Sequence, residues 1–128
     1  MIVDTSAIMA ILLDEAESEE MLRKITEAPT CRMSAGTLME LNTVVLRRHP
    51  TKARVVENLI QSAGITIEDV TLDQVARGRD GYRAYGRGAR HRARLSFGDC
   101  FAYGLAKATG EPLLFKGGDF VHTDVLAA

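Results

Sequence analysis

Four short strand-like segments, separated by longer helix-like stretches, restrict the possible folds of this chain most strongly. They are MIV at residues 1–3, TCRMS at 30–34, ITIEDV at 65–70 and PLLF at 112–115. Each gap between them has room and apolar spacing for about two helices. Because helices between consecutive strands act as crossovers, the strands are expected to run parallel with helices on both faces. The order β-α-α-β-α-α-β-α-α-β therefore predicts a three-layer α/β/α sandwich around a central parallel sheet.

Hydroxyl side chains mark the expected starts of several helices, because they can accept hydrogen bonds from the first free backbone N–H groups. The expected capping residues are Ser6, Ser34, Thr51 and Thr71. The last helix lies in LSFGDCFAYGLAKATG, residues 95–110. Its spacing predicts a buried face formed by Phe97, Phe101, Leu105 and Ala108.

The composition indicates one globular domain spanning residues 1–128. Apolar residues make up 46% and charged residues 26% of the chain, which is typical of a folded protein with a hydrophobic core. No apolar run approaches the roughly 20 residues of a membrane span. The start, MIVDTSAIMAILLDE, lacks the basic stretch and cleavage site of a signal peptide. With Cys31 and Cys100 as buried thiols in no metal-binding spacing, we expect a cytoplasmic protein without membrane contact.

The net charge of −1 conceals two segments of opposite sign. Residues 14–20, DEAESEE, hold five acids and no base, whereas residues 77–94, RGRDGYRAYGRGARHRAR, hold seven arginines and one aspartate. Arginine binds phosphate backbones with release of counterions, so the second segment predicts a nucleic-acid-binding surface. The alternative is a solvated loop that binds nothing. The candidate nucleic-acid-binding residues are Arg87, Arg90, Arg92 and Arg94.

Four acids occupy positions where a solvent-exposed helix charge is not the simplest explanation. Asp4 follows the first strand, Glu40 lies between two leucines of a helix, Asp99 begins the last helix, and Asp119 follows the last strand. Ligands of open parallel sheets bind at the carboxyl ends of the strands. Carboxylates that meet there repel one another unless a hard cation such as Mg²⁺ binds among them. A metal ion that binds water and phosphate oxygens supports phosphodiester hydrolysis.

Each of these acids also has a purely structural explanation. Asp4 and Asp119 could close turns, and Glu40 could lie at the edge of its helix. Ser96 and Asp99 match the S-x-x-D capping box, in which the two residues exchange hydrogen bonds at a helix start. Capping and metal binding are compatible for Asp99, since a cap fixes the position of its carboxylate.

Four motifs carry a resemblance to a known family. They are MIVDTSAI, SAGTLMELNTVV, LSFGDCFAYGLAK and LLFKGGDF, and they extend over essentially the whole chain. Together they resemble the PIN domain, and more closely the VapC toxins of VapBC toxin–antitoxin pairs. The resemblance implies an endoribonuclease that depends on Mg²⁺ or Mn²⁺, cleaves RNA such as tRNA or rRNA, forms a homodimer and is inhibited by a VapB-like antitoxin.

The resemblance also assigns roles to the four acids. Asp4 and Asp99 are the expected metal ligands, while Glu40 and Asp119 are expected to orient metal-bound waters or to hold a second ion. The whole set is the expected catalytic site. No histidine is well placed as a general base, so acid–base chemistry without a metal is not expected.

The last motif departs from the family pattern L-L-T-x-D-x-D-F. Phe115 replaces the threonine, and Gly117 and Gly118 leave Asp119 as the only acid. With one acid fewer in this motif, the site has less support for a fourth carboxylate ligand and for a second metal ion. Asp124 is the nearby acid that could compensate.

Two other function classes are open from the sequence. Receiver domains and haloacid-type phosphatases also place an aspartate at a strand end, but Asp4 is followed by Thr5 and Ser6 and not by the D-x-D that the phosphatase needs. The other class is a binding module that kept the PIN-like fold without its catalysis.

Overall fold

The computed structural model describes residues 1–128 and confirms the predicted order of elements. The strands are β1 (Ile2–Val3), β2 (Cys31–Ser34), β3 (Ile65–Glu68) and β4 (Leu113–Leu114). The helices are α1 (Thr5–Leu12), α2 (Ser18–Glu27), α3 (Ala35–Arg48), α4 (Ala53–Ser62), α5 (Leu72–Tyr85) and α6 (Asp99–Thr109). A short 3-10 turn, Pro50–Lys52, precedes α4.

All strand pairs are parallel, and the strand order is β3-β2-β1-β4. Ile2 pairs with Arg32 of β2 on one side and with Leu113 of β4 on the other. From β1 the chain runs outward through β2 to β3 and then returns to the opposite side as β4. β1 therefore lies at the point where the strand order reverses, which is where parallel sheets bind ligands.

Two apolar cores, one on each face of the sheet, confirm the three-layer arrangement. Val3 and Leu114 point into a core shared with α1 to α4, whereas Ile2 and Leu113 point into a core shared with α6. Successive residues of a strand alternate between faces, so two-residue strands suffice to connect both cores. Each of these four side chains is at most 1% exposed.

The buried face of α6 differs from the prediction. Leu105 is buried as expected, but Phe101 and Ala108 are only half-buried and Phe97 is 77% exposed. The other core contacts of the helix come from Ala102, Tyr103 and Ala106. The reason is that α6 begins at Asp99, so Phe97 lies in the preceding turn and does not share the helical periodicity.

Two of the four predicted helix caps are confirmed. Ser34 and Thr71 accept hydrogen bonds from backbone N–H groups at the starts of α3 and α5. The prediction for Thr51 is wrong because it lies inside the 3-10 turn. The prediction for Ser6 is also wrong, since the capping carboxylate of α1 belongs to Asp4.

Two further properties of the chain bear on its chemistry. No helix combines the length and the apolar character needed to cross a membrane. Cys31 is buried, Cys100 is half-buried, and both are free thiols.

Candidate active site

The four predicted acids are brought together at the carboxyl end of the sheet. They line one pocket of about 140 Å³ beside the ends of β1 and β4. The lining residues are Asp4, Thr5, Ser6, Glu40, Asp99, Lys116, Asp119 and Phe120. The four acids come from four distant parts of the chain, and no single turn or helix cap would require them to meet.

Asp4 is the most buried of the four acids, at 3% exposure. Its Oδ2 accepts hydrogen bonds from the Ser6 backbone N–H (2.9 Å) and from Ser6 Oγ (2.6 Å), which caps α1. Its Oδ1 is buried and has no hydrogen-bond partner. Burial raises the pKa of Asp4 from 3.8 to about 6 against the opposing effect of the Ser6 hydrogen bonds, and the nearby charges of Asp99 and Glu40 raise it further.

Glu40 projects from α3 into the pocket and does not merely occupy the edge of a helix. Its Oε2 accepts a hydrogen bond from Thr5 Oγ1 at 2.8 Å. The backbone of Gly98 lies against the same carboxylate so closely that a Cβ at this position would collide with it. Burial raises the pKa of Glu40, the Thr5 hydrogen bond opposes this, and the charge of Asp99 adds to it.

Asp99 caps its helix and lines the pocket at the same time. Its Oδ2 accepts a hydrogen bond from the Ser96 N–H at 2.6 Å, and its own N–H donates to Ser96 Oγ at 3.3 Å. These are the reciprocal bonds of a capping box, so the structural explanation offered by the sequence is correct. Burial raises the pKa of Asp99 despite these bonds, the charge of Asp119 raises it further, and Arg87 lowers it.

The last motif contributes Asp119 and a backbone link to Asp4. The Lys116 N–H donates to Ser6 Oγ at 2.9 Å, and Ser6 Oγ in turn donates to Asp4. Gly117 has φ = +92°, a conformation that favours glycine. An aspartate at this position, as in the family pattern, would be strained in this turn.

Asp124 does not compensate for the missing acid. Its carboxylate accepts hydrogen bonds from Tyr103 Oη (2.7 Å) and Lys107 Nζ (2.9 Å), away from the pocket. These bonds account for its pKa, which is lowered although burial acts in the opposite direction. Asp119 is therefore the acid of the last motif that lines the pocket.

The arginine segment, defined here as residues 86–95 between α5 and α6, is anchored to the core. Ala93 and Leu95 are buried, and Leu95 exchanges backbone hydrogen bonds with Tyr85 and Arg87. The four candidate arginines are exposed and form no ion pair with a carboxylate, which leaves their charge available: Arg87, Arg90, Arg92 and Arg94. Arg87 is the arginine whose charge lowers the pKa of Asp99.

The pocket fits a divalent cation that retains some of its water. Asp4 Oδ1 is a buried carboxylate oxygen without a partner, and a cation would satisfy it. No three Asp, Glu, His or Cys side chains converge closely enough to bind one ion on their own. The carboxylates surround the pocket without meeting at a point, which matches an ion held by one or two carboxylates and by waters.

The sequence-based reasoning missed three polar pocket residues. Thr5 orients Glu40, Ser6 connects Asp4 to the last motif, and Lys116 is the basic residue of the lining, with its ammonium paired to Glu15 and Glu17. The signal for Thr5 and Ser6 was their position directly after Asp4 at a strand end. Lys116 gave no signal, because the run KGGDF has the composition of an ordinary turn.

An apolar groove lies on the other side of the start of α6. It has a volume of about 530 Å³ and is lined by Val75 and Tyr82 of α5 and by Phe97 and Phe101, among others. The rings of Phe97 and Phe101 meet edge to face with their centroids 5.1 Å apart. The groove contains none of the four acids.

Comparisons with known proteins agree with this fold. The PIN domain model matches residues 1–126. Ribonuclease VapC42 of Mycobacterium tuberculosis (strain ATCC 25618 / H37Rv) is 46% identical over 129 aligned residues, which cover 100% of this chain and 98% of the relative. Ribonuclease VapC28 of the same strain is 43% identical, covering 100% and 97%.

Solved structures show the same fold at lower sequence identity. The crystal structure of Mycobacterium tuberculosis VapC20, described as a Sarcin-Ricin loop cleaving toxin, has a TM-score of 0.77 at 21% identity and covers 99% of this chain and 97% of that chain. A toxin–antitoxin complex from Klebsiella pneumoniae has a TM-score of 0.72 at 16% identity and covers 99% and 95%. The chain belongs to the PIN-domain family and, within it, to the VapC ribonucleases.

Proposed function

We propose that this chain is the endoribonuclease toxin of a toxin–antitoxin pair and that its acidic pocket hydrolyses RNA with the aid of Mg²⁺. The observation that carries the proposal is the unpartnered, buried Oδ1 of Asp4 in a pocket lined by three further carboxylates. A merely structural aspartate in that position would be expected to have both oxygens satisfied. Membership of the VapC ribonucleases supports RNA as the substrate.

Each of the four acids has a role in this proposal. Asp4 and Asp99 hold the ion through carboxylates that are fixed by a helix cap and by a capping box. Glu40, held by Thr5, and the more exposed Asp119 would orient water bound to that ion. When bound, a divalent cation supplies polarisation of the scissile phosphate and a water of lowered pKa.

The donor chemistry of the pocket favours Mg²⁺, with Mn²⁺ as a substitute. Apart from Lys116, the polar side chains that line it carry only oxygen atoms: Asp4, Thr5, Ser6, Glu40, Asp99 and Asp119. Carboxylate and water ligands suit Mg²⁺ and Mn²⁺, whereas Zn²⁺ sites are usually built with nitrogen or sulfur. Neither cysteine lines the pocket.

The arginine segment is the proposed RNA-binding surface. Its exposed, unpaired arginines lie on the chain just before Asp99, so they present positive charge beside the acids. Phosphate contacts of this kind position the RNA without reading its sequence. The arginines proposed for this role are Arg87, Arg90, Arg92 and Arg94.

We further propose a VapB-like antitoxin and a second copy of the chain as partners. The structural neighbours include toxin–antitoxin complexes, which supports an antitoxin. An inhibitor that places an Arg or Lys side chain among Asp4, Glu40 and Asp99 would neutralise the same carboxylates that the metal needs. A complex in which the partner leaves these acids open would contradict this mode of inhibition.

Cleavage of RNA by the purified chain tests the proposed function directly. Total RNA and defined tRNA and rRNA fragments would be incubated with the protein in Mg²⁺, in Mn²⁺ and in EDTA, and the new ends mapped. We expect discrete cleavage with either metal, none in EDTA, and none by the Asp4→Ala variant. RNA binding without cleavage in any metal would favour the alternative of a catalytically silent RNA-binding module.

A further inference from the structure

Lys116 is the one basic side chain that lines the acidic pocket. It follows β4 and its backbone N–H is fixed by Ser6 Oγ, so its position relative to Asp4 is set by the sheet. Its ammonium group contacts Glu15 (2.5 Å) and Glu17 (2.9 Å), which belong to the loop between α1 and α2. Two carboxylates thus hold the ammonium of a residue that lines a pocket with four other carboxylates.

The negative charge of the pocket explains why a nearby lysine would assist the binding of a phosphate group. Four carboxylates create a field that repels a phosphate group, and one divalent cation offsets only two of their charges. The last motif lacks the second acid of the family pattern, and the positive φ at that position favours the glycine that replaces it. The ammonium of the adjacent Lys116, now paired with Glu15 and Glu17, is the positive charge that the lining residues themselves can offer to a phosphate group.

The ion pairs that hold Lys116 are of a kind that exchanges readily. The side chains of Lys116, Glu15 and Glu17 are 29%, 36% and 43% exposed, and ion pairs in contact with water contribute little to stability. The lysine has a flexible four-carbon stem with a compact charge at its end. Its ammonium can therefore leave the two glutamates for an anion that enters the pocket. The contacts of the ammonium with Glu15 and Glu17 raise the pKa of Lys116, so it remains charged before the anion arrives.

We propose that Lys116 is a phosphate-binding residue of this site, and that its ammonium exchanges Glu15 and Glu17 for a non-bridging phosphate oxygen of the RNA. This inference rests on the proposed ribonuclease function and adds to it a named substrate contact. The two glutamates hold the lysine only while RNA is absent, so they are not required for RNA binding.

The chain offers a matched control for a test of this proposal. Lys107 is exposed to a similar degree, at 33%, and its ammonium is paired with Asp124 at 2.9 Å. It lies in the last turn of α6, eight residues from Asp99, which corresponds to about 12 Å along a helix. Lys107→Met therefore removes the same charge and one ion pair without touching the pocket.

The experiment compares the wild type with Lys116→Met, Lys116→Arg, Lys107→Met and the Glu15→Gln/Glu17→Gln double variant. Binding of a short RNA is measured in EDTA over a range of salt concentrations, and kcat/KM for cleavage is measured in Mg²⁺. For Lys116→Met we expect the salt slope of binding to fall by about one unit and kcat/KM to fall by roughly tenfold, the size of one charged hydrogen bond. Lys116→Arg should retain the slope, and Lys107→Met should match the wild type.

The Glu15→Gln/Glu17→Gln variant distinguishes a Lys116 that binds RNA from a Lys116 that only fixes the loop between α1 and α2. If Lys116 binds phosphate, removing the charges of its two partners leaves RNA binding equal to or tighter than in the wild type. A weakening equal to that of Lys116→Met would mean that the ion pairs merely hold the loop, and it would overturn the proposal. An unchanged salt slope in Lys116→Met would do the same, provided that its melting temperature matches the wild type. If the wild type binds RNA but does not cleave it, the proposed function fails while the binding measurement still decides the role of Lys116.

Discussion

Two depressions flank the N-terminal end of α6, and they differ in almost every physical property. The pocket at Asp99 is small, about 140 Å³, and is lined by carboxylates. The groove at Phe97 and Phe101 is larger, about 530 Å³, and its side chains are mostly apolar. The candidate chemistry belongs to the smaller one, because a buried carboxylate oxygen without a partner is a stronger indication of a ligand than volume is.

Gly98 separates these two regions. The residue before it, Phe97, faces the groove, and the residue after it, Asp99, faces the pocket. Since Gly98 has no side chain, the Glu40 carboxylate can approach the backbone here. The same short turn therefore positions two acids on one side and an exposed ring on the other, and the two sides can be altered separately.

The largest expected effect comes from removing one charge from the pocket. Asp99→Asn should still fold and keep its melting temperature in EDTA, because the side-chain oxygen of asparagine can accept the same hydrogen bond from the Ser96 N–H. Its rate of RNA cleavage should fall by on the order of 10³-fold, since the metal contributes several kcal/mol to the transition state. Cleavage rates, and melting curves with and without Mg²⁺, measure both effects. A variant that cleaves at close to the wild-type rate would show that Asp99 is a helix cap alone.

The pocket should also give the free energy of unfolding a characteristic pH dependence. Asp4 has a pKa of about 6 when folded and 3.8 ordinarily, so the folded state holds the proton more tightly. The metal-free protein should therefore lose stability as pH rises from about 4 to about 6, by up to about 3 kcal/mol from Asp4. Mg²⁺ should restore stability above pH 6, where the carboxylate is charged.

Denaturant unfolding in EDTA at pH 5 and pH 7 measures this dependence. Because other groups titrate in the same range, the informative quantity is the difference between the wild type and Asp4→Asn, which removes only this carboxylate. Parallel pH profiles for the two proteins would contradict the assignment of a raised pKa to Asp4.

A smaller effect is expected outside both depressions, on the arginine segment. Replacing Arg87, Arg90 and Arg92 by Ala should weaken RNA binding and reduce its salt slope by roughly one unit for each phosphate that the protein no longer neutralises. Stabilisation by Mg²⁺ should persist, because none of these residues lines the pocket. Binding titrations at several salt concentrations test this, and an unchanged slope would mean that the segment is only a solvated connection.

The smallest effect is expected in the groove. Phe97→Ala removes a ring that is 77% exposed, so the free energy of unfolding should change by less than about 0.5 kcal/mol. Stabilisation by Mg²⁺ should be the same as in the wild type. Leu105→Ala is the matched control on the same segment, since Leu105 is 1% exposed, and it should cost about 2–5 kcal/mol. Absence of the Mg²⁺ effect in Phe97→Ala would show that the two regions are coupled.

The pocket was easier to predict from the sequence than the groove was. Parallel strands place their carboxyl ends at one edge, so acids at strand ends can be expected to meet, and Asp4 and Asp119 line the same pocket. The spacing between Phe97 and Phe101 fits a helix face, although α6 begins only at Asp99. Neither the periodicity nor the S-x-x-D motif marks this boundary, because the motif would make Ser96 the cap and place Phe97 in the first turn of the helix.

Contacts between distant parts of the chain could not be predicted in this way. Lys116 lies in a turn by composition, and its neighbours Glu15 and Glu17 are about 100 residues earlier in the chain. The exclusion of an acid at Gly117 depends on a positive φ that is fixed by the geometry of the turn. Such features follow from tertiary packing, and a single sequence contains no local signal for them.

The central position of β1 has a consequence for how the protein is made. β4 is one of the two strands that flank β1, and Ile2 pairs there with Leu113. The Asp4 N–H donates a hydrogen bond to the Leu114 carbonyl of the same strand. A ribosome adds about 5–20 residues per second, so several seconds pass between the synthesis of Asp4 and the synthesis of β4, to which the Asp4 backbone is hydrogen-bonded. Asp119, which closes the pocket, follows later still. A nascent chain therefore carries no finished nuclease, and the machinery that translates this protein is not exposed to it until nearly all of the domain has emerged.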